Sequence, residues 1–252
     1  MKKLTVATIL AAMTVSYSAQ AQVYQWEDDY CSMQGSFDNK KYTAKQIENS
    51  YFVLEGLNRL NIEGFVSVGD IDALDRLSMK DIDTLTEEYE QVKSNVERLN
   101  VVPEAKGYKQ ELLKTIDGEY ERNRLTLLAY LNPSEALKQS PKMCKTYIEP
   151  FLQSEKAVQI RWKQFVEEQI QEQSQYGADE VARYRKIATK RYQQEKASNP
   201  AKYAKMDLVR LGYGNCVNMQ AYRADSDRVY SDTKKLNKTL FGNSFKEMCY
   251  EP

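Results

Sequence analysis

The chain has 252 residues, with 36 lysines and arginines against 36 aspartates and glutamates, 42% hydrophobic and 11% aromatic residues, four cysteines and no histidine. That balance removes any bulk electrostatic reason to bind nucleic acid or an acidic membrane, and the aromatic content, with 18 tyrosines, argues against disorder. Without histidine, every histidine-dependent nucleophilic triad and the usual histidine-bearing zinc, copper and haem sites are excluded, so no cofactor and no metal are expected.

The first segment, Met1-Lys2-Lys3, an apolar run from Leu4 to Val15 and a polar end closing on Ala19-Gln20-Ala21, has the order of a secretory signal peptide cleaved after Ala21. The apolar run is too short for a transmembrane helix, which needs about 20 residues, so no stable membrane anchor is expected. The two-lysine start looks bacterial and makes the periplasm the expected destination. Loss of Lys2 and Lys3 leaves 34 basic and 36 acidic residues, a net charge near −2. In an oxidising compartment the four cysteines, Cys31, Cys144, Cys216 and Cys249, read as two disulfides.

From about residue 42 the apolar spacing is helical. Thr43 and Gln46 form a capping box before a helix carrying Ile47, Tyr51 and Leu54, with Gly64 as its stop. Residues 69–88 then repeat an Asp-Ile-Asp motif, at Asp70–Asp72 and Asp81–Asp83. A helix-loop-helix calcium site needs an oxygen ligand at position 5 and glycine at position 6. Leu74 and Asp75 stand there in the first copy, Leu85 and Thr86 in the second. The motif therefore reads as helix beginnings, with Asp70 as one cap and Ser78 with Asp81 as the other.

Ile82, Leu85, Tyr89, Val92, Val96 and Leu99 continue at heptad spacing until Pro103. A helix from about 104 to 131 faces Leu113, Ile116, Tyr120 and Leu127 inward, with Gly118 inside it, and Asn132-Pro133 ends it. Pro150 forces a restart, after which Phe151, Val158, Trp162 and Phe165 mark a helix that fades into the Gln-rich run 169–175. Val181, Tyr184, Ala188 and Tyr192 form the next seam. Asn199-Pro200 opens a short helix that Gly212 closes, the "GYG" at 212–214 reading as a stop and a turn. Met219, Tyr222, Val229, Leu236 and Leu240 carry the last seam before Gly242 and an Asn243 cap.

No stretch reads as a convincing strand, so the expected fold is all-α, an elongated bundle of about seven helices with two disulfides. A short echo, "MCKTYIEP" against "MCYEP", hints at two units, 22–131 and 132–252; the alternative is one continuous helical domain over 22–252. If residues 218–240 form one helix, its length rules out Cys216–Cys249 and leaves Cys31–Cys216 with Cys144–Cys249, or Cys31–Cys249 with Cys144–Cys216. A break near Asp225-Ser226-Asp227 restores the sequential pairing.

The one candidate surface in the sequence is the run "RYRKIATKRYQQEK", where Arg183, Arg185, Lys186, Lys190 and Arg191 interleave with Tyr184 and Tyr192. It suits a polyanion such as lipopolysaccharide or an acidic protein, and equally the solvated face of an amphipathic helix. The Glu-Ser pair that would carry a resemblance to lytic transglycosylases is absent, and no acidic pair stands out as an acid–base couple. The expected function is therefore binding of another protein or envelope component, as inhibitors, immunity proteins and envelope chaperones do. The alternative is a carboxylate-dependent enzyme acting on cell-envelope polymers, and self-association through the heptad seams is a third course.

Overall fold

The computed structural model describes residues 23–27, 31–36, 42–63, 77–198, 200–222, 224–241 and 246–249. The segment expected as a leader (residues 1–21), the first Asp-Ile-Asp with Asp70 and Asp72, Gly64, Gly242 and Asn243 lie outside the described residues. The body of the chain is helical. It comprises α1 (Ala44–Glu63), α2 (Met79–Glu97), α3 (Lys106–Leu131), α4 (Pro133–Gln139), α5 (Glu155–Glu172), α6 (Ala178–Ser198), α7 (Pro200–Asp207), α8 (Gly214–Gln220) and α9 (Ser226–Phe241). Added to this helical body is a small antiparallel sheet of β1 (Val23–Glu27), β2 (Cys31–Ser36) and β3 (Lys246–Cys249), in the order β1-β2-β3. Its register sets Val23 opposite Ser36 and Cys31 opposite Cys249.

The helix starts follow local chemistry. Gln46 N–H donates to Thr43 Oγ1 at 3.2 Å while Thr43 N–H donates to Gln46 Oε1 at 3.0 Å, a reciprocal box that opens α1. Asp81 accepts from Ser78 N–H at 2.7 Å and from its hydroxyl at 2.9 Å, so the second Asp-Ile-Asp does begin a helix. The side chains of Asn132 and Ser154 cap α4 and α5, accepting from Glu135 N–H and Ala157 N–H.

The residues fall into two compact units, each discontinuous in sequence. One unit contains α1, α2 from Glu87, α3 as far as Gly118, α9 and the sheet. Ile47, Tyr51, Leu54 and Leu57 of α1 pack there with Val92, Val96, Leu112, Ile116, Val229 and Leu236. The link between α2 and α3 is fastened to α1 by polar groups. The Asn49 amide donates to Asn100 O at 2.9 Å, and Ser50 Oγ accepts from Val102 N–H at 3.0 Å. Lys109 donates to Glu97 O and Leu99 O, satisfying carbonyls at the end of α2 that have no helical partner.

The other unit holds the start of α2, α3 from Glu119, and α4 to α8. Ile82 and Leu85 of the heptad seam pack here with Leu125, Leu128, Ile148, Val209, Tyr213 and Val217. A second cluster gathers Val158, Trp162, Phe165, Ala204 and Leu208. Glu119 is fully buried, 2.5 Å from the Arg122 guanidinium one turn on. Two short 3₁₀ turns, Lys142–Tyr147 and Glu149–Leu152, replace a continuous helix around Pro150.

Of the two disulfides expected, one is present among the described residues, Cys144–Cys216, with 5.6 Å between Cα atoms. The proposed helix over 218–240 is broken between Gln220 and Ser226. Even so, the Cys144–Cys216 bond rules out the sequential pairing and the pairing of Cys31 with Cys216.

Two other expectations are corrected. Gly212 is no stop: α7, a π-helical turn Leu208–Tyr213 and α8 run on as one helical stretch through Gly212 and Gly214. Gly212 is needed for close approach instead, because a Cβ there would lie 2.5 Å from the Tyr147 ring. Met219, expected inside the last seam, is 73% exposed, because α8 ends one residue later.

Gly212→Ala tests this contact by its sign. Inside an ordinary helix alanine stabilises by about 1 kcal/mol; against the Tyr147 ring it destabilises by about 1–3 kcal/mol. Thermal melts should show a lower Tm for Gly212→Ala, and partial recovery when Tyr147→Leu is added.

Candidate functional site

The α5–α6 hairpin carries the basic run. Val158, Trp162, Phe165 and Ile170 turn the inner face of α5 into the core. The Trp162 indole N–H donates to the buried Asp207 carboxylate at 3.0 Å, and the Arg161 guanidinium sits 4.8 Å from the centre of the Tyr147 ring. The Tyr147 ring in turn meets Phe165 edge-on. After α5, Gly177 takes φ 108°, a left-handed conformation open to glycine, and α6 begins at the next residue.

The seam expected on α6 is hardly buried. Val181 and Ala188 are half-buried and Tyr184 is exposed, as is every residue from Ala182 to Ile187. The 3-4 spacing of apolar residues was readable, but only part of that face has a neighbour to pack on. Between α5 and α6 lies an open groove of about 240 Å³, floored by Trp162, Val166, Ile170 and Ala188 and edged by Lys163, Glu167, Arg185 and Thr189. Ile160 on α5 is 51% exposed beside it and Tyr176 in the connection 69% exposed, whereas Ile187, two residues from both Arg185 and Thr189, faces away from the groove at 52% exposure. Ile160 precedes Lys163 and Glu167 by three and seven residues, so it continues their stripe of α5.

The basic residues divide. Arg185 makes a two-pronged contact with Glu167, at 2.7 and 2.8 Å, across the groove edge. The Arg185 and Gln171 hydrogen bonds lower the Glu167 pKa, and Glu167 raises that of Arg185. Arg183 pairs with Glu180 on its own helix at 2.7 Å. Lys186 and Lys190 are exposed. Arg191 and Tyr192 lie on α6, past the residues whose side chains are described. The run is therefore less cationic in the fold than in the sequence, a mixed-charge border beside an apolar groove. Sequence reasoning missed the α5 side of this surface, because Trp162 read only as a seam position and Ile160 and Val166 lie off that seam.

Lys205 was also missed. It is half-buried, donates to Tyr130 O at 2.8 Å near the end of α3, and lies 4.5 Å over the Tyr130 ring, with burial lowering its pKa. It satisfies a helix-end carbonyl, a role no local motif announces.

The richest group of ionisable side chains belongs to the other unit. Arg228 of α9 donates to Glu111 of α3 and reaches Asp232 at 3.5 Å, the Tyr222 hydroxyl donates to Glu111 at 2.5 Å, and Lys235 contacts Asp232 at 3.0 Å. Burial pushes the Glu111 carboxyl up, but the Arg228 and Tyr222 hydrogen bonds outweigh it and the net shift is downward. The Lys235 hydrogen bond leads in lowering Asp232. A carboxylate pair doing acid–base work needs one member protonated near neutrality; here both are held ionised, so the cluster is a clasp of α9 on α3. Among the described residues, no group of three or more Cys, Asp or Glu is placed to hold a metal ion, and no helix is long and apolar enough to cross a membrane.

Both carboxyls have folded-state pKa values below their unfolded ones. The stability they contribute is present above the unfolded pKa, near 4, and is lost as pH falls through the lower folded values. Arg228→Leu should cost about 1 kcal/mol at neutral pH, given the exposure of the arginine. Between about pH 5 and pH 3 its Tm should fall less steeply than that of the parent chain. Thermal melts across that range check both outcomes. Compared with known proteins, the chain matches no family model, no curated protein and no solved structure at a significant level.

Proposed function

We propose that the protein works by binding another protein through the α5–α6 hairpin, after export to the periplasm. The carrying observation is the groove floored by Trp162, Val166, Ile170 and Ala188, with Ile160 and Tyr184 exposed at its sides and Tyr176 exposed in the connection. Large apolar side chains gathered beside a groove and bordered by charge have the anatomy of an interface, an apolar centre within a polar rim. The Glu167–Arg185 and Glu180–Arg183 pairs neutralise much of the basic run, which favours a protein of mixed surface over a polyanion such as lipopolysaccharide. Inhibitors, immunity proteins and envelope chaperones act in this way, by covering a partner's surface. Compartment rests on the leader-like first 21 residues.

The mature chain, immobilised and exposed under native conditions to secreted and envelope proteins of its own source, should retain one protein in stoichiometric amount. A variant carrying Ile160→Asp and Tyr184→Asp should retain it at least about tenfold less, a loss of about 1.4 kcal/mol in binding, with circular dichroism and Tm unchanged. Equal retention by both chains, or none by either, would sink this reading.

A further inference from the structure

We infer that Cys31 and Cys249 form a second disulfide that joins the N-terminal hairpin to the last strand. Two independent observations carry it. Cys144 and Cys216 are already bonded to each other, so each remaining cysteine has only the other as an intrachain partner. The backbone also sets Cys31 and Cys249 directly opposite in the antiparallel β2–β3 pair, at the end of a run that matches Ser32 with Met248, Met33 with Glu247 and Gln34 with Lys246. Opposed residues in antiparallel strands lie on the same face of a sheet, with Cα atoms about 4.5 or 5.5 Å apart. Both separations fall within the roughly 4.4–6.8 Å that disulfides span. A register shift of one residue would send the two cysteines to opposite faces, so the observed pairing is specific.

Chemically the bond needs a two-electron oxidant of the disulfide class, a protein disulfide or glutathione disulfide. The thiolate of one cysteine attacks the oxidant and releases one of its sulfurs as a thiol, leaving a mixed disulfide. The thiolate of the second cysteine then displaces the other sulfur. One S–S bond forms and one breaks, and two electrons and two protons pass to the oxidant, which leaves as a dithiol or two thiols. The bond encloses nearly all of the mature chain and fixes the terminal strands to one another.

Trypsin places each cysteine on its own peptide: 22–40 (4–40 if the leader is retained), 143–145, 211–223 and 247–252. The full chain, oxidised with glutathione disulfide, alkylated with iodoacetamide and digested without reduction, should yield 22–40 linked to 247–252 in the mass spectrum. The Cys249→Ser variant should then carry one alkyl or glutathione group at Cys31, where the parent chain carries none. Alkylation of Cys31 or Cys249 in the parent chain would overturn the inference, as would either peptide linked to 143–145, to 211–223 or to a second copy of itself.

Discussion

The contact of the Tyr147 ring with the bare backbone of Gly212 governs how the unit that holds α4 to α8 is assembled. Tyr147 ends a 3₁₀ turn that also holds Cys144, and the Cys144–Cys216 bond fixes that turn to α8 just past the π-helical turn. With both segments held, the fully buried Tyr213 hydroxyl lies 2.5 Å from Ser140 Oγ, and the Tyr147 ring is left to receive Phe165 and Arg161 of α5. The take-off of α5, and with it the groove that α6 completes, depends on this small set of contacts. A side chain at 212 would push against a ring already engaged on its other faces.

Much of the polar inventory serves structure. Ser50, Asn49 and Lys109 fasten the link between α2 and α3, Glu119 pairs with Arg122, and Asp207 receives the Trp162 indole. A chain of amphipathic helices offers few deep positions, and those near its cores must be closed by hydrogen bonds where apolar bulk runs short. The acidic residues that first suggest catalysis are largely tied up in this way. On the α5–α6 hairpin, Ile160 and Tyr184 stay outward beside a groove with an apolar floor, and that contrast is the physical basis for reading it as an interface.

Local features were legible in the sequence. The Thr43–Gln46 box, the Ser78–Asp81 pair and the restart at Pro150 depend on residues within one helical turn of each other, and each is found as expected. The heptad seam beginning at Ile82 was equally readable, and its residues are buried or packed on the cores. Features set by distant partners were not. The strand "CSMQGS" alternates only Cys31 and Met33 with polar residues, too short a run to read as a strand, and its pairing with residues 246–249 is visible only in three dimensions. Gly212 looked like a stop because glycine usually ends helices by adopting positive φ, whereas here it makes room for a ring. The basic run was visible, but not the α5 carboxylate that answers Arg185, nor the groove beside it.

The order of the sheet bears on how the chain is made. β2 is the central strand, flanked by β1, its near neighbour in sequence, and by β3, which follows α9. During vectorial synthesis the hairpin therefore waits with one backbone edge unpaired until nearly every helix has emerged. Such an edge is a template for foreign strands, and contacts between segments far apart in sequence close slowly. Growth of the polypeptide thus closes this edge only after α9 has been made, and until then the edge is open to any strand that meets it.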